Sequence, residues 1–202
     1  MTQKKKKWLT VLLVIAVLGG WVYYTWNFTG SRSGKVLDAA TGEPIEGAVV
    51  CMQWSGGGFF EIVASGCTAF YETKTDKKGR YYIPTQRVSL WSWFGGPGDE
   101  DVMIYKDGYS AYEVYASDMK PVGRSFGHIN EKQPYRKKRN TARLYRFNPS
   151  DSHTDHLDWI KTFGIYDWPE QLLEKELQQE MEREKEELKH PNRSRTVILQ
   201  PQ

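Results

Sequence analysis

Three kinds of hydrophobic pattern follow one another along this chain of 202 residues. The first is a continuous apolar run, Trp8 to Tyr24, directly preceded by four lysines, Lys4 to Lys7. As a helix it would rise about 25 Å, near the lower limit for a bilayer core. Its ends carry Trp8 and then Trp21, Tyr23, Tyr24 and Trp26, aromatic residues that favour the headgroup region. The run therefore predicts a transmembrane helix.

The second pattern is short-period alternation between residues 32 and 147. A strand around Gly34 to Leu37 leads through a turn, Asp38 to Pro44, into a strand from Ala48 to Trp54. There Ala48, Val50, Met52 and Trp54 share one face and Val49, Cys51 and Gln53 the other, so one side reads as core-facing and the other as semi-exposed. In Thr73 to Pro84, Asp76 opens a tight turn and Gly79 relieves it, which predicts a hairpin with Tyr81 and Ile83 on one face. Two further strands flank Lys106-Asp107-Gly108, and a last one runs through Thr141 to Phe147. These pieces predict a mainly β fold of seven short strands. Half-apolar sheets must cover each other, so the expected packing is a two-sheet sandwich.

The third pattern is helical spacing beyond Phe147. Asp151 to Phe163 reads as a short helix with Leu157, Ile160 and Phe163 on its inner side. Asp167-Trp-Pro-Glu170 has the chemistry of a helix start, and the helix should run to about His190, before Pro191. Leu173, Leu177, Met181 and Leu188 make a thin apolar stripe, interrupted at Glu184. Eight glutamates face four lysines or arginines over residues 170 to 190, and Glu176 and Glu180 repel at i,i+4. A mostly solvated helix is expected; docking along the sandwich, pairing with a partner and fraying all remain open. The expected organisation is thus 1–27 anchor, 28–148 sandwich and 149–202 helical, charged tail.

Charge refines the topology. The lysines hold the N-terminus in the cytoplasm by the positive-inside bias, leaving the rest periplasmic or extracellular on a single-pass inner-membrane protein. A cleaved signal peptide is the competing reading, but no A-x-A site follows, and the run continues into Trp21, Val22, Tyr23 and Tyr24. Without the four lysines, 24 of the 28 basic residues remain against 25 acidic ones. The exported part is near neutral, which gives no argument for nucleic acid. One basic run remains, Arg136 to Arg139, read as a solvated turn before a strand, with contact to anionic lipid or glycan as the minority alternative. In an oxidising compartment Cys51 and Cys67 are expected to form a disulfide, and closing a loop of this size would contribute about 3 kcal/mol.

Three segments together resemble the carboxypeptidase regulatory-like domain, a transthyretin-like sandwich related in shape to immunoglobulin-like folds. They are Gly34-x-Val36-x-Asp38-x-x-Thr41-Gly42-x-Pro44-Ile45-x-Gly47-Ala48-x-Val50, then Thr75-Asp76-x-x-Gly79-x-Tyr81, then Lys106-x-Gly108-Tyr109. The resemblance covers about half to three fifths of the chain. It implies a non-enzymatic adhesive, spacer or scaffold module, since the family's shared residues build turns and core. Two insertions depart from the compact pattern. One contains Phe59 and Phe60, the other Trp91, Trp93 and Phe94. These aromatic rings either fold back over an open end of the sandwich or form a surface for a protein partner in the envelope, with a glycan platform as a weaker option.

The search for chemistry finds only isolated matches. His153 and His156 have a metal-pair spacing, Gly123-Arg-Ser125-Phe-Gly127 is a literal nucleophile-elbow motif, and His128 with Glu131 has the spacing of a zinc pair. The expected contexts for each are a polar helix face, a glycine-relieved loop and a loop pair. A hydrolase would need Ser125 gathered with a histidine and an acid such as Asp101 or Glu61. No catalytic residue, metal site or cofactor is therefore predicted. The leading expectation is a tethered binding or scaffold module of an envelope assembly, and the runner-up is an accessory subunit of an envelope enzyme.

Overall fold

The structure is a computed structural model and describes residues 3–56, 67–87, 97–115, 121–148, 150–162 and 172–189. The chain divides into two units. The first comprises Met1–Gly30 with the segments Trp54–Ala69 and Thr85–Asp99; the second comprises Ser31–Gln53, Phe70–Pro84 and Glu100–Gln202. The aromatic insertion residues Phe59, Phe60, Trp91, Trp93 and Phe94 lie outside the described residues, as do Phe163 and the expected helix start Asp167 to Glu170.

The first unit is dominated by helix α1 (Gln3–Asn27). Its window Lys7–Tyr24 has a mean hydropathy of 1.6, and none of it is buried. By length and composition α1 can be a single membrane span or signal anchor. At its end Tyr24 stacks on Phe28. Thr29 then ties the chain to Gln86, its amide donating to the Gln86 carbonyl at 2.9 Å while its Oγ1 accepts from the Gln86 amide at 2.9 Å.

The described residues form nine strands, not the seven the alternation predicts: β1 (Arg32–Asp38), β2 (Val49–Gly56), β3 (Cys67–Lys74), β4 (Arg80–Ile83), β5 (Pro97–Tyr105), β6 (Tyr112–Val114), β7 (Val122–Ser125), β8 (Gln133–Pro134) and β9 (Arg139–Leu144). They make two sheets. One has the order β4-β1-β9, the other β3-β2-β5-β6-β7-β8. The expected two-sheet arrangement is present. Strand β1 pairs antiparallel with β4 and parallel with β9.

Turn chemistry carries the chain between sheets. At Asp38 the carboxylate Oδ1 accepts from the Ala40 and Thr41 amides at 2.9 and 3.0 Å, and Gly42 takes a positive φ of 74°. At Asp76 the same device recurs, with Oδ1 accepting from Lys78 and Arg80 at 2.8 Å. The Asp76 turn is not the hairpin expected of it, because β3 belongs to the larger sheet and β4 to the smaller. By contrast β5 and β6 do pair antiparallel across Lys106–Gly108.

The largest departure from expectation concerns the outer face of the larger sheet. Val49 and Cys51 are fully buried together with their opposite-face neighbours Val50 and Met52. The reason is the helical tail. Helices α2 (His153–Thr162) and α3 (Leu172–Lys189) pack Ile160 and Leu173 against Val49, Cys51, Met103, Tyr105 and Ala111. The second unit therefore has three layers. On the inner side Tyr81 and Asn140 of the small sheet meet Tyr112 of the larger one.

The expected Cys51–Cys67 disulfide is not supported, because no bridged pair is found among the described residues. Cys51 Sγ lies 3.8 Å from Glu72 Oε1, whereas Cys67 stands five residues before Glu72 on β3. The buried Cys51 thiol is thus set against Glu72.

Two glycines make room for buried rings of the neighbouring strand in their own sheets. A Cβ at Gly34 would run into the Tyr81 ring, and one at Gly123 into the Tyr112 ring. Both rings are buried, so neither can swing away cheaply. Gly34→Ala and Gly123→Ala should each lower unfolding free energy by about 2 kcal/mol through overpacking, read from urea denaturation. An unchanged midpoint for either would contradict the packing described.

Candidate functional site

Strands β8 and β9 build a basic groove of about 400 Å³. Strand β9 alternates, with Asn140, Ala142 and Leu144 inward and Arg139, Thr141 and Arg143 outward. The outward residues line the groove together with Lys132 and Arg136. Gln133 forms its floor and clamp. Its Nε2 donates to the Arg143 carbonyl and its Oε1 accepts from the Arg143 amide, both at 2.8 Å.

The intervening turn is tied at two more points. The Tyr135 hydroxyl donates to Glu100 Oε1 at 2.7 Å, and Ser33 Oγ donates to the Lys138 carbonyl at 3.0 Å. Glu100 is also held by Arg32 at 2.7 Å, which leaves it engaged away from the basic run. Among the described residues, Lys132, Arg136, Lys137, Lys138, Arg139 and Arg143 make no ion pair. The expected solvated turn is thus an organised one that concentrates positive charge in a concave surface.

His153 and His156 lie elsewhere and are structural. Ser152 caps α2, its Oγ accepting from the Asp155 amide at 3.2 Å. His156, one turn in, is fully buried rather than on a polar face. The Ala111 amide donates to its Nε2 at 2.9 Å, so that nitrogen carries no proton. Nδ1 then bears the hydrogen and faces Glu180 Oε1 at 3.1 Å. His153 Nδ1 also meets Glu180 Oε1, and the His153 ring stacks on Phe147. With Nε2 of His156 already engaged, the pair is not open to a metal. Among the described residues no group of three or more His, Cys, Asp or Glu could hold one.

The tail is clamped by charge along its length. Glu72 of β3 accepts from the first amides of α3, Leu172 and Leu173, at 3.1 and 3.3 Å, a favourable place for a carboxylate. Glu176 takes Lys106 at 2.5 Å and Lys74 at 3.0 Å. Arg183 spans Asp107 at 2.6 Å and Glu180 at 3.3 Å. Burial alone would raise the Glu180 carboxyl, but the His156 and His153 hydrogen bonds hold it below its ordinary value of 4.5. Glu180 is 2% exposed while Met181 is 41% exposed. The inward stripe of α3 is therefore Leu173, Leu177 and Glu180, not the stripe through Met181.

The remaining motifs are dispersed. Ser125 lies on β7, buried, and its Oγ has no hydrogen-bond partner. Among the described residues neither a histidine nor an acid hydrogen-bonds to it. Asp101 instead accepts from Gln53 at 3.2 Å, and Glu61 lies outside the described residues. His128 and Glu131 close on each other at 3.2 Å, with Glu131 also accepting from the Tyr145 hydroxyl at 2.5 Å. The sequence reading assigned no role to one buried acid. Glu113, opposite Arg124 on β7, is pushed up to about 7 by burial, against the opposing pull of Tyr115 and Arg124 and with Asp101 adding to the rise. Its only sequence signal is its place between Ala111 and Tyr115 on an apolar face.

Compared with models of known protein families the chain matches none, and compared with curated proteins it matches none. Among solved structures it is similar to 3-chlorocatechol 1,2-dioxygenase from Rhodococcus opacus 1CP, at 13% identity and a TM-score of 0.33, covering 60% of this chain and 61% of that one. It is also similar to the group B streptococcus pilus 2b backbone protein, at 15% identity and a TM-score of 0.29, covering 58% of this chain and 41% of that one. A 9R-lipoxygenase from Cyanothece PCC8801 matches at 17% identity and 0.29, over 58% of this chain and 16% of that one. The chain thus spans less than two thirds of each neighbour's length.

Glu180→Ala should destabilise the fold by about 3 kcal/mol, because it strips the partner from two buried or half-buried histidines. Hydrogen exchange should then quicken in α2 and α3 before the sheets. With the wild-type chain, the Glu180 contribution is complete above pH 4.5 and is lost as pH falls through the lower folded value. Glu113 has the opposite sign. Its folded value lies above 4.5, so ionising it costs stability as pH rises from there through about 7. Glu113→Gln should therefore raise the melting temperature at pH 8, by roughly 1–2 kcal/mol in stability terms, and change it little at pH 4. Equal effects at both pH values would contradict the burial of an ionisable Glu113.

Proposed function

We propose that this protein is a non-enzymatic binding or scaffold module, tethered by α1 to the cytoplasmic membrane and presenting its folded part on the outer side to an envelope assembly. The observation that carries this reading is the exposure of α1. Every described side chain from Lys7 to Tyr24 is open to the surroundings. In water such a helix would leave an apolar surface far larger than monomeric soluble proteins tolerate, whereas a bilayer satisfies it. Lys4 to Lys7 before the run support an N-terminus inside.

The rest of the chain supports a scaffold rather than a reaction centre. Its buried polar groups hold layers together, as Glu180 does with His153 and His156 and Glu100 with Arg32 and Tyr135. The two-sheet topology is compatible with the resemblance to the carboxypeptidase regulatory-like, transthyretin-like sandwich, now extended by a helical layer. Phe59, Phe60, Trp91, Trp93 and Phe94 are the proposed docking residues for the protein partner.

Fractionation provides the test. The protein should stay in membranes through alkaline carbonate, and protease added outside should remove the folded part while sparing the lysine-rich tip. Affinity capture after mild solubilisation should recover a stable envelope protein, lost on replacing Trp91 and Trp93 with serine. Release by carbonate would overturn the tether, and recovery of the protein alone would overturn the scaffold role.

A further inference from the structure

The basic groove on β9 has a built form, and among the described residues its cations make no ion pair. Four of its lining side chains, Lys132, Arg136, Arg139 and Arg143, are cationic, with Thr141 between two of them. The β9 residues step along one face, about 7 Å apart. Their backbone is fixed by the Gln133 clamp and by the Tyr135 and Ser33 bonds. Fixing the backbone lowers the ordering cost of gathering long side chains around an anion. Because the chain beyond the N-terminal lysines is nearly neutral, with 24 basic residues against 25 acidic, this positive field is a local feature.

Topology supplies the choice of anion. Strand β9 runs parallel to β1, with Arg139 opposite Ser33. Only five residues of chain lie between Asn27, the end of α1, and Ser33, six steps that reach at most about 21 Å when fully extended. A bilayer holding α1 is thus a polyanion source covalently linked to the strand beside the groove, and such a link raises effective concentration without any new contact.

We propose that the groove formed by Lys132, Arg136, Arg139 and Arg143 binds the headgroups of anionic phospholipids in the membrane that holds α1. The proposal rests on the anchor reading of α1. It gives the tether a second point of attachment, one that responds to lipid charge and to ionic strength.

The test uses the full chain reconstituted into nanodiscs of phosphatidylcholine alone and of phosphatidylcholine with phosphatidylglycerol. Hydrogen exchange is followed over residues 132–143. Several-fold slower exchange in the anionic discs, abolished by high salt, is expected. Each basic residue near an anionic surface strengthens the hold about fivefold, so Arg136→Glu with Arg139→Glu should erase the protection. The neutral pair Arg136→Gln with Arg139→Gln should reduce it at an unchanged melting temperature, which separates lost binding from misfolding. Insertion into both discs with equal exchange would overturn the groove proposal and leave the anchor standing. Failure to enter either disc would overturn the anchor and the proposal with it. Protection produced in neutral discs by inorganic phosphate or heparin, but not by phosphatidylglycerol, would assign the groove to a soluble anion and refute the lipid.

Discussion

The larger sheet is apolar on both faces, and most of the described architecture follows from covering it twice. Residues Val49 to Met52 are buried without a break, so neither side of β2 can meet water. The three-stranded sheet covers one side. It leaves Val49, Cys51, Met103, Tyr105 and Ala111 on the other, which α2 and α3 then close with Ile160 and Leu173. A segment whose composition reads as a charged appendage is, in the folded chain, a structural layer.

How so acidic a helix packs on a sheet is answered by where its charges fall. Its apolar contribution is narrow, chiefly Leu172, Leu173 and Leu177. The ion pairs at its margins, such as Arg183 with Asp107, are partly exposed, and pairs of that kind contribute at most about 1 kcal/mol each. The Glu180 cluster is different in kind. A carboxylate that is buried with no partner costs several kcal/mol, so α3 can sit down only where His153 and His156 receive it. The apolar residues supply attraction, and the buried polar cluster supplies position.

Much of the local structure was legible in the sequence because its causes are local. The Asp38–Gly42 turn, the alternation of β9 and the inward Leu157 and Ile160 of α2 all follow from residue spacing. What was not legible depends on partners distant in the chain. Asp76 announces a reversal but not which sheet the next strand joins, so an expected hairpin is a crossover. Strands β7 and β8 have four and two residues, too few to show a period. Glu176 and Glu180 repel within an isolated helix, and only Lys74, Lys106, His153 and His156, brought from other elements, turn them into contacts. Cys51 and Cys67 invited a bridge from compartment logic, which says nothing of the Glu72 carboxylate that Cys51 meets in the fold. The basic run was visible as composition, but its concavity needed Gln133 to clamp β8 to β9.

The parallel pairing of β1 with β9 also sets an order of assembly. A chain emerges from synthesis N-terminus first, so β1 is the first strand available and β9 the last. Yet β1 is the central strand of its sheet, flanked by β4 and β9. Its Ser33 must wait for Arg139, a closure over more than a hundred residues, among the slowest kinds of contact to form. Until then β1 offers one unsatisfied edge in the segment that follows the apolar helix along the chain. The newborn chain is thus most exposed to wrong pairing at β1, and its smaller sheet is completed only when nearly the whole sandwich is free to fold.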